Sequence, residues 1–168
     1  MIRVCFHGAE STGKSVLAEK LSRELGLPWV GEYGREYAET LGTDFTMADL
    51  LAIAAGHEAR VKAVEASGAD MALLDTDPLM TAAWAEMLFG EIPGELLSYP
   101  KADLYLLFET DVPWIEDGTR FFGSLAERAR FAQTAEAVLR RAGVPYLAIG
   151  GNWAARESNA RAAIAGLT

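Results

Sequence analysis

The sequence predicts one α/β domain, a three-layer α/β/α sandwich around a parallel five-stranded sheet, and three observations carry that expectation. Five short apolar runs alternate with stretches of helical periodicity, the pattern that builds a parallel sheet covered on both faces. The first run leads straight into Gly8-Ala9-Glu10-Ser11-Thr12-Gly13-Lys14-Ser15, which fits the phosphate-binding pattern G-x-x-x-x-G-K-[ST]. The third run ends in Asp75-Thr76-Asp77-Pro78, where carboxylates stand just past a buried strand. At 168 residues and 18.1 kDa the chain suits one domain over residues 1–168.

The elements follow in order. Ile2-Arg3-Val4-Cys5-Phe6 reads as a buried strand, and from Lys14 onward Leu17, Leu21 and Leu25 share one face of a helix that Gly26 and Pro28 stop. Backbone N–H groups of a glycine-rich turn and a helix N-terminus together form an anion cradle. Gly8, Glu10, Ser11, Thr12, Gly13, Lys14, Ser15 and Val16 are therefore expected to hold a nucleotide's phosphates. Lys14 would reach the terminal phosphates and the Ser15 hydroxyl would ligate magnesium.

Leu27 to Glu32 reads as a short second strand delivering Glu32-Tyr33-Gly34-Arg35-Glu36-Tyr37 to a strand end, where ligands of open parallel sheets bind. That cluster can supply a base, a charge clamp and stacking faces, although a solvated helix start has the same composition. Thr46-Met47-Ala48-Asp49 resembles a capping box, and the helix it opens carries Leu50, Ala54, His57, Val61 and Val64 on one stripe. A histidine so placed is more often a hydrogen-bonded core residue than a catalyst, and Arg60 is expected to face solvent.

Ala69 to Leu74 forms the third strand. Asp75 beyond it is placed to serve a magnesium nucleotide opposite Ser15, whereas Asp77 before Pro78 also reads as a helix cap. Leu79 to Phe89 is an apolar helix, and 90–101 reads as a loop or broken helix. Asp103 to Phe108 is the fourth strand, and the polar segment beyond it has the makings of a mobile lid. Arg120 and Arg128 are the arginines expected at the transferring phosphoryl group, while Arg130, Arg140 and Arg141 read as solvated charges of the helix that starts near Ser124. Val144 to Ile149 is the fifth strand. The loop after it could touch adenine through Asn152, which fits a helix N-cap equally well.

Composition excludes several classes. A net charge of −9 disfavours a nucleic acid as partner, because such binding leans on Lys and Arg contacts to phosphate. No apolar stretch is long enough for a membrane span, and the N-terminus lacks the sections of a signal peptide, so a soluble, cytoplasmic protein is expected. The one cysteine, Cys5, reads as a buried inert thiol.

Together these residues resemble the ribosylnicotinamide kinase domain of the bifunctional NadR proteins, within the nucleotide-kinase-like P-loop group. The resemblance rests on Gly8 to Ser15, Glu32 to Tyr37, Gly56-His57 with Arg60, Asp75-Thr76-Asp77, and Trp114-Ile115-Glu116-Asp117-Gly118 continuing through Arg120 to Ser124. It implies a P-loop fold with strand order 2-3-1-4-5, and an ATP- and magnesium-dependent kinase acting on the 5'-hydroxyl of nicotinamide riboside. It implies Tyr33, Tyr37 or Trp114 stacked on the cationic ring, and a base among Asp75, Asp77 and Glu32. The favoured arrangement has Lys14 and Asp75 at the chemistry, Asp75 also at the metal with Ser15, Asp77 and Glu32 on the nucleoside, and Arg35 bracing it. The chain begins at its first strand, so the adenylyltransferase domain that precedes the kinase in those proteins is expected to be missing. A kinase for another nucleoside and a nucleotide-dependent switch acting on a protein partner are the alternatives.

Overall fold

The computed structural model describes residues 1–113, 115 and 122–167. Five parallel strands form one sheet: β1 (Ile2–Gly8), β2 (Trp29–Val30), β3 (Met71–Asp75), β4 (Leu104–Phe108) and β5 (Tyr146–Ile149), in the order β2-β3-β1-β4-β5. Fold class and strand order are as the sequence implied. The helices are α1 (Lys14–Leu25), α2 (Tyr33–Leu41), α3 (Met47–Ala66), α4 (Pro78–Phe89), α5 (Gly94–Ser98), α6 (Leu125–Ala142) and α7 (Trp153–Ala165).

Side chains alternate across a strand, so the central strand β1 feeds two cores. Val4 and Phe6 pack with Leu17 and Leu21 of α1 and with Ala160 and Ile164 of α7. Cys5 faces the opposite layer with Ile53 of α3, Met80 of α4 and Phe131 of α6. Three layers result, and burying a side chain such as Leu17 or Leu21 contributes on the order of 1.5–3 kcal/mol. Leu25 is the exception on its stripe. It sits in the last turn of α1 beside the left-handed Gly26 and stays 37 % exposed.

The strands shortened most against expectation, β2 and β5, lie at the sheet edges. Only Trp29 and Val30 pair with β3, because the chain turns into α2 three residues later. In β5 the pairing begins at Tyr146, beyond Pro145. α3 opens with a capping box in which the Thr46 side chain accepts from the Asp49 N–H and Asp49 from the Thr46 N–H. The segment around 94–98 adds one helical turn inside the expected broken stretch.

β1 also buries His7, whose Nε2 lies 3.0 Å from the Ala135 carbonyl. Burial pushes its pKa down to about 3, so the ring is neutral. Cys5 is a buried free thiol, its pKa raised by burial and then by Asp77. No helix among the described residues is long and apolar enough to cross a membrane.

Candidate functional site

The loop between β1 and α1 lies at the carboxyl end of the sheet. Gly8 has φ +128°, and a Cβ there would stand 2.6 Å from the Phe108 carbonyl oxygen. Only glycine lets β1 leave the sheet this close to β4. Gly13 caps α1 in the left-handed region with φ 84°, without a side-chain cap. Inside the loop, Thr12 Oγ1 donates to the Ala9 carbonyl at 2.9 Å and Lys14 Nζ to the same carbonyl at 2.7 Å. Buried arginines brace it from behind: Arg128 donates to the Ser11 carbonyl and Arg156 to the Thr12 carbonyl, each at 3.2 Å.

Asp75 ends β3 at 1 % exposure and accepts a hydrogen bond from Ser15. Its Oδ1 is buried with no hydrogen-bond partner among the described residues. Burial first, and the Glu32 charge second, push its pKa up to about 7, against the pull of Ser15, Lys14 and Arg35. An orphaned carboxylate oxygen beside a serine hydroxyl is the oxygen donor set that a hard cation such as magnesium takes. The same donors fit the metal of a bound nucleotide.

Two hollows meet here. The cradle is lined by Glu10 to Val16 together with Glu32 and Arg35. The adjoining pocket is lined by Glu32 and Arg35 again, and by Phe45, Ile53, Thr76, Met80 and Trp84 among others. Glu32 and Arg35, an ion pair at 3.8 Å, thus form the wall common to both. One half of the cleft is polar and suited to phosphates; the other is apolar and aromatic, suited to a flat ring.

The Glu32 to Tyr37 cluster divides between two faces of α2. Glu32, Gly34, Arg35 and Ala38 face the pocket. Tyr33, Glu36 and Tyr37, at spacings of three and four, face α3. Glu36 receives Arg60 at 2.6 and 2.7 Å, the Arg60 guanidinium lies 4.6 Å above the Tyr33 ring, and Tyr37 donates to Asp49 at 2.7 Å. Arg60 is therefore paired rather than simply solvent-facing, and the two tyrosines expected to stack on a ligand instead dock α2 on α3. Gly56 makes this docking possible, because a Cβ there would meet the Tyr33 ring at 2.3 Å.

Of the other expected site residues, some serve as helix caps or brace the loop. Asp77 is 4 % exposed and caps α4, accepting from the N–H groups of Leu79 and Met80 and from the Tyr105 hydroxyl at 2.5 Å. Pro78 keeps the residue before it extended, which aims this carboxylate back at the helix start. Burial holds the Asp77 pKa up at about 6. Asn152 caps α7 by accepting from the Ala155 N–H. Arg128 is buried at 6 % exposure and bonds to the Val112 and Ser11 carbonyls. Val16 is lined into the cradle but is 63 % exposed. Trp114 and Arg120 lie outside the described residues. Around them, the Ile115 N–H donates to Ser11 Oγ and the Phe122 N–H to Glu10, so both flanks of that segment bond to the loop.

The sequence reading missed Phe45, Met80 and Trp84. Met80 and Trp84 stand one turn apart on the helix that starts directly after Asp77, a spacing that returns both side chains to the end of β3.

Comparison with known proteins bears out the resemblance to NadR. A family model described as "AAA domain" matches residues 3–156. The trifunctional NAD biosynthesis/regulator protein NadR of Salmonella typhimurium is 31% identical over 151 residues, covering 86% of this chain and 37% of that protein. Its counterpart from Escherichia coli is 31% identical over 153 residues, 87% of this chain and 37% of that protein. The chain therefore spans little more than a third of the curated relatives it matches. Among solved structures, a NadR protein in complex with NR superposes with a TM-score of 0.78 at 23% identity, over 98% of this chain and 49% of the other. A deoxyadenosine kinase from M. mycoides, solved with its products, superposes at 0.67 and 11% identity over 98% of this chain and 100% of the other. At these identities the superpositions establish a shared fold.

Proposed function

The chain belongs to the AAA domain family, and from that premise we propose that it is an ATP- and magnesium-dependent kinase that phosphorylates the ribose 5'-hydroxyl of nicotinamide riboside, giving nicotinamide mononucleotide. The observation that carries this reading is the double cleft: a phosphate cradle and an aromatic pocket that share Glu32 and Arg35, with Asp75 against Ser15 at the cradle's edge. A nucleotide switch needs the first hollow and has no use for the second. The NadR relatives support the substrate, since one member of this fold is known with NR and the curated relatives carry NAD biosynthesis in their names.

In this reading the loop backbone and Lys14 hold the β- and γ-phosphates. Ser15 and Asp75 would hold a magnesium ion, which would supply charge neutralisation at the phosphates. The 5'-oxygen attacks the γ-phosphorus, the bond to the bridging oxygen of ADP breaks, and the hydroxyl proton passes to a carboxylate at the junction. Among the described residues, Asp75 and Glu32 offer carboxylates there. Glu32 lines the pocket and holds the ribose side of the nucleoside, Arg35 braces the pair, and Asp75 stands at the hydroxyl and the metal. Trp84 and Phe45 offer faces to the cationic nicotinamide ring, which a protein of net charge −9 also attracts.

The test is ADP release over a panel of nucleosides with magnesium ATP. Nicotinamide riboside is expected to give by far the fastest release. Preference for another nucleoside would keep the mechanism and remove this substrate, and equal slow release with every nucleoside would remove the kinase.

A further inference from the structure

Arg156 stands in the first turn of α7 and is 1 % exposed. Both placements are unfavourable by themselves, because the start of a helix is its positive end and a buried guanidinium needs acceptors for its N–H groups. The surroundings supply those acceptors. Nε donates to the Gly151 carbonyl at 2.8 Å, Nη1 to the Thr12 carbonyl at 3.2 Å, and Nη2 to the Glu109 carbonyl at 3.1 Å and to the Asp111 carboxylate. Asp111 in turn accepts from the Gly151 N–H at 2.5 Å, which closes a ring of three residues.

Of these acceptors, the Thr12 carbonyl belongs to the phosphate loop. In a trans peptide the C=O and the following N–H point opposite ways, so a carbonyl held from behind turns the Gly13 N–H toward the cradle that Thr12 and Gly13 line. Arg128 holds the preceding peptide in the same manner, joining the Ser11 carbonyl at 3.2 Å to the Val112 carbonyl at 2.7 Å. Two successive N–H groups turned to one side make a concavity that takes an anion. Trp153, one turn before Arg156 on α7, lies against Gly13, where a Cβ would stand 3.0 Å from its ring. Two side chains thus seat α7 on the Thr12–Gly13 peptide.

We propose that Arg156 is a positioning residue for the donor phosphates: its guanidinium fixes the Thr12–Gly13 peptide with the N–H turned into the cradle, and anchors that peptide to Glu109 and Asp111 after β4 and to Gly151 after β5. Arg156 lies behind the loop, outside the residues that line the cradle, and acts through the backbone. Lysine cannot replace it, because a single ammonium lacks the planar fork that reaches carbonyls of three segments and a carboxylate at once. The role rests on reading residues 8–15 as a phosphate cradle, the donor half of the proposed kinase.

The experiment compares wild type with Arg156→Lys, Arg156→Ala and Asp111→Ala, each checked for folding by circular dichroism. Calorimetry measures binding of ATP and of inorganic tripolyphosphate, a ligand with neither base nor sugar. Arg156→Lys is expected to lose about tenfold in affinity for tripolyphosphate and the same factor for ATP, while the KM for nicotinamide riboside is unchanged. Guanidinium ion at low millimolar concentration restores part of the loss in Arg156→Ala, because it occupies the vacated place; a general defect of the fold would not respond. Asp111 has a partly exposed side chain, and its variant is expected to show a smaller loss in the same direction, which decides the question if neither Arg156 variant folds. A folded Arg156→Lys variant that binds tripolyphosphate like wild type, a loss confined to ATP, or unchanged tripolyphosphate affinity in Asp111→Ala overturns the assignment. Wild-type protein that binds tripolyphosphate yet phosphorylates no nucleoside would remove the kinase reading, and the loss in Arg156→Lys would still decide the positioning role. Wild-type protein that binds neither ligand overturns the cradle and this role together.

Discussion

Asp75 predicts a conflict between stability and chemistry that Asp75→Asn exposes. The carboxyl is buried against Glu32 and its pKa stands near 7 instead of the ordinary 3.8. Between those values the folded protein binds more protons at this position than the unfolded chain, so stability falls as pH rises through the window and levels off above it. Each tenfold change in an ionisation constant is worth about 1.4 kcal/mol, so ionised Asp75 costs the metal-free fold about 4 kcal/mol at pH 8.5 and about 2 kcal/mol at pH 5. Asparagine keeps the shape and an acceptor for the Ser15 hydroxyl without the charge. The advantage of the variant over wild type is therefore expected to grow by about 2–3 kcal/mol between pH 5 and pH 8.5, on the order of 5–10 °C in melting temperature for a domain of this size. The assay is thermal unfolding with EDTA and no nucleotide, at both pH values. Asp77 keeps its own raised pKa in both proteins, so the difference isolates Asp75. The same variant is expected to lose phosphoryl transfer. A variant that is less stable at pH 8.5, or whose advantage is the same at both pH values, refutes the picture of a carboxylate held at the cost of the fold.

Lys14→Ala is expected to abolish transfer while the far-ultraviolet spectrum stays native, because Lys14 Nζ donates to the Ala9 carbonyl of its own loop; retained turnover would contradict the loop assignment. Phe45→Ala is expected to raise the KM for nicotinamide riboside about tenfold through the lost stacking face, with the KM for ATP unchanged in the same initial-rate experiment. Gly8→Ala places a Cβ against the Phe108 carbonyl at a φ that L-residues avoid, and is expected to cost about 3 kcal/mol or more in urea unfolding.

What the sequence made legible was local. Gly8 to Ser15 and Asp75 could be read because each lies within a few residues of the strand that presents it. The alternation of strands and helices announced the layers, while the strand order came with the resemblance to a family and not from periodicity. The acceptor pocket was illegible because it is assembled from Phe45 in a loop, Ile53 on α3, and Met80 and Trp84 on α4, residues that any apolar core would also supply. Tyr33 and Tyr37 misled for a related reason. Composition marks a cluster as functional but does not say which side of a helix faces the ligand, and here Gly56 draws Tyr33 onto α3. Asp77 and Asn152 had two readings each, and the hydrogen bonds they make are those of helix caps. Thr76 was named only as part of the Asp75-Thr76-Asp77 segment, with no sign of its backbone conformation, φ 70°. Its left-handed turn follows from the two-residue link between β3 and α4, which only coordinates reveal.

In the proposed kinase the two hollows joined by Glu32 and Arg35 work as donor and acceptor halves of one site. The most direct test is product identification by mass spectrometry after incubation with magnesium ATP and nicotinamide riboside, alongside the 5'-deoxy analogue. Nicotinamide mononucleotide and ADP in equal amounts, with no phosphorylated product from the analogue, is the expected result. ADP formed at the same rate with either compound, and no phosphorylated nucleoside, would contradict it.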